Sequence, residues 1–369
     1  MHQKNARARA NLRQICLLNL GWEMLLPDFT HALRHTVGFN VCVFLWLSPT
    51  EPRIQHVWSN TIVPDRIAND FLVHFAHLEA ESPHAGGLAS FYERGPSVRL
   101  TPEWAGFSRT EMCNYIWKET GIHYGLSTVI PAADGRCLGH LMLHRERTAR
   151  NFSKADIGFM EGLIPYISHA LSVDPSSEIE FADSIDSGML LMDREGRIQY
   201  RSASALTLAS MIENTGYVDL IGRFGVPGFI ELVFRRLIDV GRPATTLPPR
   251  LQLTNRWGQF DIHAYWLDSM NPGDGLIAIR LDRKEPKVLR LASAMQDAQF
   301  SAAQQRASLL LLQGKTNREI ADALQITINS ARDHVKAVLE KANCDTRHDL
   351  SSFLLSLPRR NTPSTRSHG

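Results

Sequence analysis

The chain has 369 residues, with 40 Lys and Arg against 38 Asp and Glu, 44% hydrophobic and 21% charged, a composition that excludes a largely disordered polymer and leaves room for two or three globular domains. Its five cysteines (Cys16, Cys42, Cys113, Cys137, Cys344) are scattered, odd in number and never spaced C-x-x-C, which excludes a disulfide scaffold and predicts free thiols in a reducing cytoplasm. The longest apolar run, Val41 to Leu47, falls far short of the roughly 20 residues of a membrane-spanning helix, so no membrane is expected.

Charge is informative once divided by region. Residues 1–13 carry Lys4, Arg7, Arg9 and Arg13 and no acid, and residues 300–369 carry ten basic and six acidic groups, so each end is net +4; residues 14–299 hold 26 basic and 32 acidic groups, net −6. Basic ends around an acidic body predict that a polyanion is met at the ends. Residues 1–13 read as a frayed basic arm. Asn19 and Glu23 interrupt the apolar Ile15–Leu18 and no small-residue cleavage site follows, so it is not a signal peptide.

Residues 14–172 mix strands and amphipathic helices. Val41–Leu47 reads as a buried strand and Arg53–Trp58 as its partner across a Pro-rich turn. Gly125–Ile130 and Cys137–His144 flank Asp134-Gly135, a hairpin signal. Ser153 with Asp156 is a capping box for a helix whose stripe is Ile157, Met160, Ile164, Ile167 and Leu171. Residues 172–178 are a polar, turn-rich linker. A second mixed unit, 179–283, begins with a short strand at Gly188–Met192, a turn over Asp193–Gly196 and a return strand Arg197–Tyr200. It continues with an amphipathic helix from Phe229 to Ile238, stopped by Gly241 and Pro243, and strands at Gln259–Trp266 and Leu276–Arg280 around a loop at 271–275.

From Lys287 to Leu357 there is no proline and one glycine, Gly314, and helical periodicity is continuous. Residues 284–299 read as a connector helix, amphipathic over Val288–Met295. Ala302–Leu312 is a helix ended by Gln313-Gly314. Thr316 caps the next, with Glu319 as capping-box partner and Ile320, Ala323 and Leu324 as its buried face; Thr327 caps a third helix running to Ala342. Two short helices joined by a tight turn are the sequence form of a helix-turn-helix. In the third helix Ala331, Val335, Val338, Leu339 and Ala342 form the core stripe. Asn329, Ser330, Arg332, Asp333 and Lys336 lie opposite, where a recognition helix enters the major groove, with Thr327 at its head. Arg332 and Lys336 suit guanine O6 and N7, and Asp333 suits cytosine N4. Thr316, Asn317 and Arg318 sit at a positive helix end suited to phosphate.

Residues Phe300–Leu350 resemble, without gaps, the DNA-binding domain of LuxR-type transcriptional regulators, through Gly314, the block Thr316-Asn317-Arg318-Glu319-Ile320-Ala321, Leu324, Ile326, Thr327, Arg332, His334, Lys341 and Arg347. The departures are Gln304 where the family has Glu, Asn343 where it has Gly, and Ala331 where it prefers Val. The resemblance implies a four-helix domain, 300–357, that binds double-stranded DNA as a dimer, with 346–356 as fourth helix and dimer contact; 358–369 is a disordered tail whose Arg359, Arg360 and Arg366 add positive charge. Trp117–Arg145, with Gly121, Ile122 and Gly125, is similar to a GAF-type sensor domain and also to the lactone-binding domain of quorum-sensing regulators; 180–283, opening on Ser187–Asp193, is similar to a PAS-type domain.

The expected fold class is therefore multidomain, two α+β (GAF/PAS-like) sensor domains followed by an all-α helix-turn-helix domain. The expected function is a cytoplasmic bacterial transcriptional regulator and not an enzyme. Expected partners are double-stranded DNA, a second copy of the chain, RNA polymerase and a small-molecule effector of unknown identity. No cofactor or metal is expected: His140 and His144 share a strand face, but Cys137 alternates to the other. Trp104, Tyr115, Trp117, His123 and Tyr124 are candidate pocket aromatics, each more often ordinary core or surface. Two alternatives remain: a sensor or enzyme module with a helical protein-interaction tail, and a quorum-sensing-type regulator. About 110 residues between the first unit and the helical end count against the latter.

Overall fold

The structure, a computed structural model, describes residues 2–48, 54–61, 98–101, 113–174, 179–213, 226–239, 247–268 and 275–357. Two helices come first, α1 (His2–Cys16) and α2 (Trp22–Val37). The segment expected as a frayed arm belongs to α1. Leu12, Ile15 and Cys16 are buried, and the guanidinium groups of Arg9 and Arg13 each lie 4.9 Å from a ring centroid, of Phe159 and Tyr166 respectively. Cation–π contact and buried apolar stems fix this helix, so two of its four basic groups are committed within the protein.

The first sheet comprises β1 (Val41–Leu47), β2 (Ile54–Ser59), β3 (Val98–Thr101), β4 (Ile122–Pro131) and β5 (Cys137–Glu146), in the order β2-β1-β5-β4-β3 with every neighbouring pair antiparallel. The expected hairpin at Asp134-Gly135 joins β4 to β5, with Gly135 at φ 85° and the Asp134 carboxylate accepting from the Arg136 N–H, a turn for which glycine is suited. Phe44, Trp46, Leu126, Leu141 and Leu143 share an apolar cluster with Leu12, Phe29 and Ile167 from the flanking helices. The single closing helix expected over 153–171 is two, α3 (Lys154–Glu161) and α4 (Ile164–Ser172). Gly162 and Leu163 interrupt it, and Pro165 has no N–H to continue a helical ladder. The Ser153–Asp156 capping box forms as expected.

The second sheet comprises β6 (Phe181–Met192), β7 (Ile198–Arg201), β8 (Arg250–Asn255), β9 (Gly258–Leu267) and β10 (Leu276–Pro286), in the order β7-β6-β10-β9-β8, again antiparallel throughout. Both sheets thus follow one topology: second, first, fifth, fourth, third. Helices α5 (Ala203–Glu213) and α6 (Gly228–Ile238) bury Leu208 and Val233 with Phe260, Ile262, Ile277 and Ile279. Gly188 lets α5 approach, since a Cβ there would stand 2.6 Å from the Ala205 Cα. Met189, Tyr200 and Tyr265 remain exposed.

The two sheets meet through Trp46 and Trp257, whose ring centroids are 5.6 Å apart. Beside them Arg283, 1% exposed, donates from Nε to the Trp257 carbonyl (2.8 Å), from Nη2 to the Met24 carbonyl (3.2 Å) and from Nη1 to Asp186 (3.3 Å). A buried guanidinium is tolerable only when its donors are satisfied in this way.

The chain then runs through α7 (Lys287–Asp297), α8 (Ala302–Leu312), α9 (Asn317–Leu324), α10 (Ile328–Ala342) and α11 (Arg347–Ser356). The expected connector over 284–299 divides: residues 284–286 finish β10, and α7 places Leu291, Ala294 and Met295 in one apolar cluster with Phe300, Ala307, Ile320, Val338, Leu350 and Leu354. Arg290 Nη2 donates to the carbonyls of Leu355 and Leu357 at the end of α11, and Lys341 Nζ to the Gln299 carbonyl (2.6 Å) just after α7. These contacts make α7 part of the helical core. The tail 358–369, linker residues 175–178, Gly241, Pro243, loop residues 271–274 and Trp104 lie outside the described residues.

Candidate nucleic-acid interface

Local chemistry sets where each helix of the C-terminal part begins. Ser301 accepts from the Gln304 N–H while the Gln304 amide oxygen accepts from the Ser301 N–H at 2.9 Å, so glutamine completes the box that glutamate would form. Thr316 with Glu319, and Thr346 with Asp349, close two further boxes; Thr327 caps α10 by accepting from the Ser330 N–H at 3.1 Å. Each such cap contributes about 1 kcal/mol. Between α9 and α10, Gln325 turns the chain at φ 54°, and its N–H reaches the carbonyls of Ala321 and Asp322. Sequence reading placed the turn but not this left-handed residue. Asn343 takes φ 51° after α10, as an asparagine in that place can.

The buried face of α10 is Ala331, Val338 and Ala342, with Val335 and Leu339 packed against it, as the periodicity predicts. On α9 the buried pair is Ile320 and Ala321. Ala323, expected inside, is exposed, because the buried arc runs from Ile320 through Leu324 to Ala321, and Ala323 falls off it on the other side of Ile320. Opposite the buried stripe of α10, Asn329, Arg332, Asp333 and Lys336 are exposed and Ser330 is half-buried. Lys336 Nζ stands 3.6 Å from the Glu340 carboxylate with both side chains more than 60% exposed, a pairing worth little in water. An open groove of about 590 Å³ runs along this helix past Arg332 and Lys336 to Asp345. Ser330 Oγ lies 2.9 Å from Thr327 Oγ1, so these two hydroxyls serve the cap first. One residue escaped the sequence reading: Ile328, a large apolar side chain 45% exposed beside this polar surface. Its signal was its place directly after the capping Thr327.

At the head of α9, Glu319 Oε2 accepts from the Thr316 N–H (2.8 Å) and hydroxyl (2.9 Å), while Lys315 Nζ reaches Oε1 at 3.2 Å. The Thr316 backbone bond, then its hydroxyl and Lys315, hold the Glu319 carboxyl down at about 2. Thr316, expected to face phosphate, therefore spends its donors on Glu319. The first-turn N–H groups of Asn317 and Arg318 have no intrahelical acceptor by helix geometry and are the ones suited to an external anion.

The other residues singled out from sequence do not form one site. Trp117 is buried with its ring edge-on to His144 at 5.5 Å, whereas His123 is exposed and meets Tyr124; Trp104 and the Tyr115 side chain lie outside the described residues. His140 and His144 are buried. Burial pushes His144 down to about 4, and burial with the neighbouring His144 pushes His140 down to about 3. Cys137, expected on the opposite face, joins Leu45, Leu47 and Val129 in the cluster against which Met142 packs. The register shift between Ile130 and Pro131 reverses strand alternation there. Among the described residues no group of three or more His, Cys, Asp or Glu could hold a metal ion, and no helix is long and apolar enough to cross a membrane.

No family model and no curated protein matches the chain in sequence. Among solved structures, Escherichia coli SdiA aligns over 92% of this chain and 94% of its own, at 11% identity and a TM-score of 0.32. The chain of the E. coli DhaR(N)–DhaL complex aligns over 76% of this chain and 88% of its own, at 13% identity and a TM-score of 0.23. Likeness at this level carries no argument about fold, ligand or partner.

Proposed function

We propose that this chain is a DNA-binding transcriptional regulator in which α9 and α10 form a helix-turn-helix and the two α+β units control it. The observation that carries the reading is the division of α10: one face is packed into the helical cluster, while Asn329, Arg332, Asp333 and Lys336 are exposed on the other, from its first turn onward. Nothing in the packing of α10 requires that set on the outside, whereas a major groove offers partners for each member. In this reading Arg332 and Lys336 donate to guanine, Asp333 accepts from cytosine, and Asn329 reads an adenine edge. Ile328 meets a thymine methyl. Asn317 and Arg318 donate to phosphate and set register rather than sequence, with α11 the contact between two copies.

In vitro selection from a random duplex pool with the full-length chain tests this. Enrichment of a motif with two-fold symmetry, at half-sites one helical turn apart, is expected. Recovery of no motif above background contradicts the reading.

A further inference from the structure

One side-chain cluster lies apart from everything used above. On α2, His31 and His35 stand one helical turn apart, and their Nε2 atoms approach to 3.3 Å with ring centroids 4.8 Å apart and planes at 80°. His35 is exposed and His31 half-buried. Histidines at i and i+4 share a helix face, the spacing by which helical zinc sites present two ligands. Two nitrogens each about 2.0–2.1 Å from a tetrahedral zinc stand about 3.3–3.4 Å apart, the separation these atoms already have. A plain hydrogen bond between two neutral imidazoles is the competing account of the same contact, and metal titration separates the two. Asp297, the last residue of α7, acts on His31 through its charge.

We propose that His31 and His35 chelate a divalent transition metal of the zinc type through their Nε2 atoms, with water completing the shell. The Asp297 carboxylate lies outside the coordination sphere, and its negative charge favours the bound cation. The ion would sit on α2, between its two histidines, independent of the DNA-binding reading.

The test is calorimetric titration of ZnCl₂, with nothing else added, into the metal-stripped full-length chain at pH 7.5. His31→Ala, His35→Ala, Asp297→Asn and, as control for the chain's other histidines, His123→Ala are compared with the parent. One saturable site is expected, lost in each α2 histidine variant, kept in His123→Ala and weakened about tenfold in Asp297→Asn, the scale seen when outer-shell partners are removed. Unfolding midpoints without metal, expected to stay at the parent value, separate lost ligands from lost folding. Binding that persists in His31→Ala/His35→Ala, or falls equally in His123→Ala, overturns the site. Unchanged affinity in Asp297→Asn overturns the part given to α7.

Discussion

Arginine is used in opposite ways in the body of this molecule and on α10. In the body guanidinium groups tie the chain to itself: Arg283 joins Met24, Trp257 and Asp186, and Arg145 donates to the carbonyls of Val37, Gly38, Arg150 and Asn151 while lying 3.9 Å from the Phe152 ring centroid. On α10, Arg332 and Lys336 are exposed, and Lys336 pairs only loosely with Glu340 at 3.6 Å. One residue type thus does two jobs, and burial separates them. A satisfied buried cation is structure, and an exposed one on a packed helix is available to a polyanion.

That contrast can be broken at its inner end first. Arg283→Met removes a buried donor set and leaves Asp186 and two carbonyls without it. The expected loss is about 3–5 kcal/mol, read as a lower midpoint of urea unfolding. An unchanged midpoint would mean that the clamp is ornamental. The next largest effect concerns the buried histidines. His140 and His144 are held near 3 and 4, below the ordinary 6.5, so the unfolded chain takes up protons first as pH falls. Stability is full above about 6.5 and declines toward 3–4, by roughly 2 kcal/mol for each histidine between pH 6.5 and 5. Thermal unfolding at pH 7.5, 6.5 and 5 in the parent and in His140→Phe/His144→Phe checks this; the variant should be much the less sensitive to pH.

At the outer end, Arg332→Ala should cost about 1–3 kcal/mol in DNA affinity and leave the unfolding midpoint where it was. A fall in both would place Arg332 with the structural arginines. The smallest effect is at the cap. Thr327→Ala should cost about 1 kcal/mol of stability and weaken DNA binding only through fraying of the first turn of α10, so that Ser in its place restores both.

Legibility in the sequence follows the range of the interactions. The limits of α8, the starts of α9 and α10, and the turn at Asp134-Gly135 depend on residues within four positions of each other, and they stand where the sequence puts them. The pairing of β1 with β5 joins Val41 to His144, and nothing near either residue announces it. Strand β8 and helix α5 are not legible for a related reason: their apolar residues gain meaning only against β9 and β6. The frayed arm failed because its arginines looked like solvent charges, and only the fold supplies Phe159 and Tyr166 beneath them. Cys137 failed by one residue, since a bulge reverses a face without leaving a mark in composition. In the candidate interface the exposed set on α10 was legible from period alone. The commitment of Thr316 to Glu319 is visible as a capping box, and it competes with the expected phosphate contact for the same hydroxyl and N–H.

Whether α10 reads DNA is decided by the salt dependence of duplex binding by the full-length chain, followed by gel shift on DNA upstream of its own gene. Parent, Arg332→Ala and Lys336→Ala are compared from low to physiological salt. A linear fall of log K with log salt is expected for the parent, with weaker binding by both variants at every salt concentration. If both variants bind as tightly as the parent throughout, α10 is not the recognition helix.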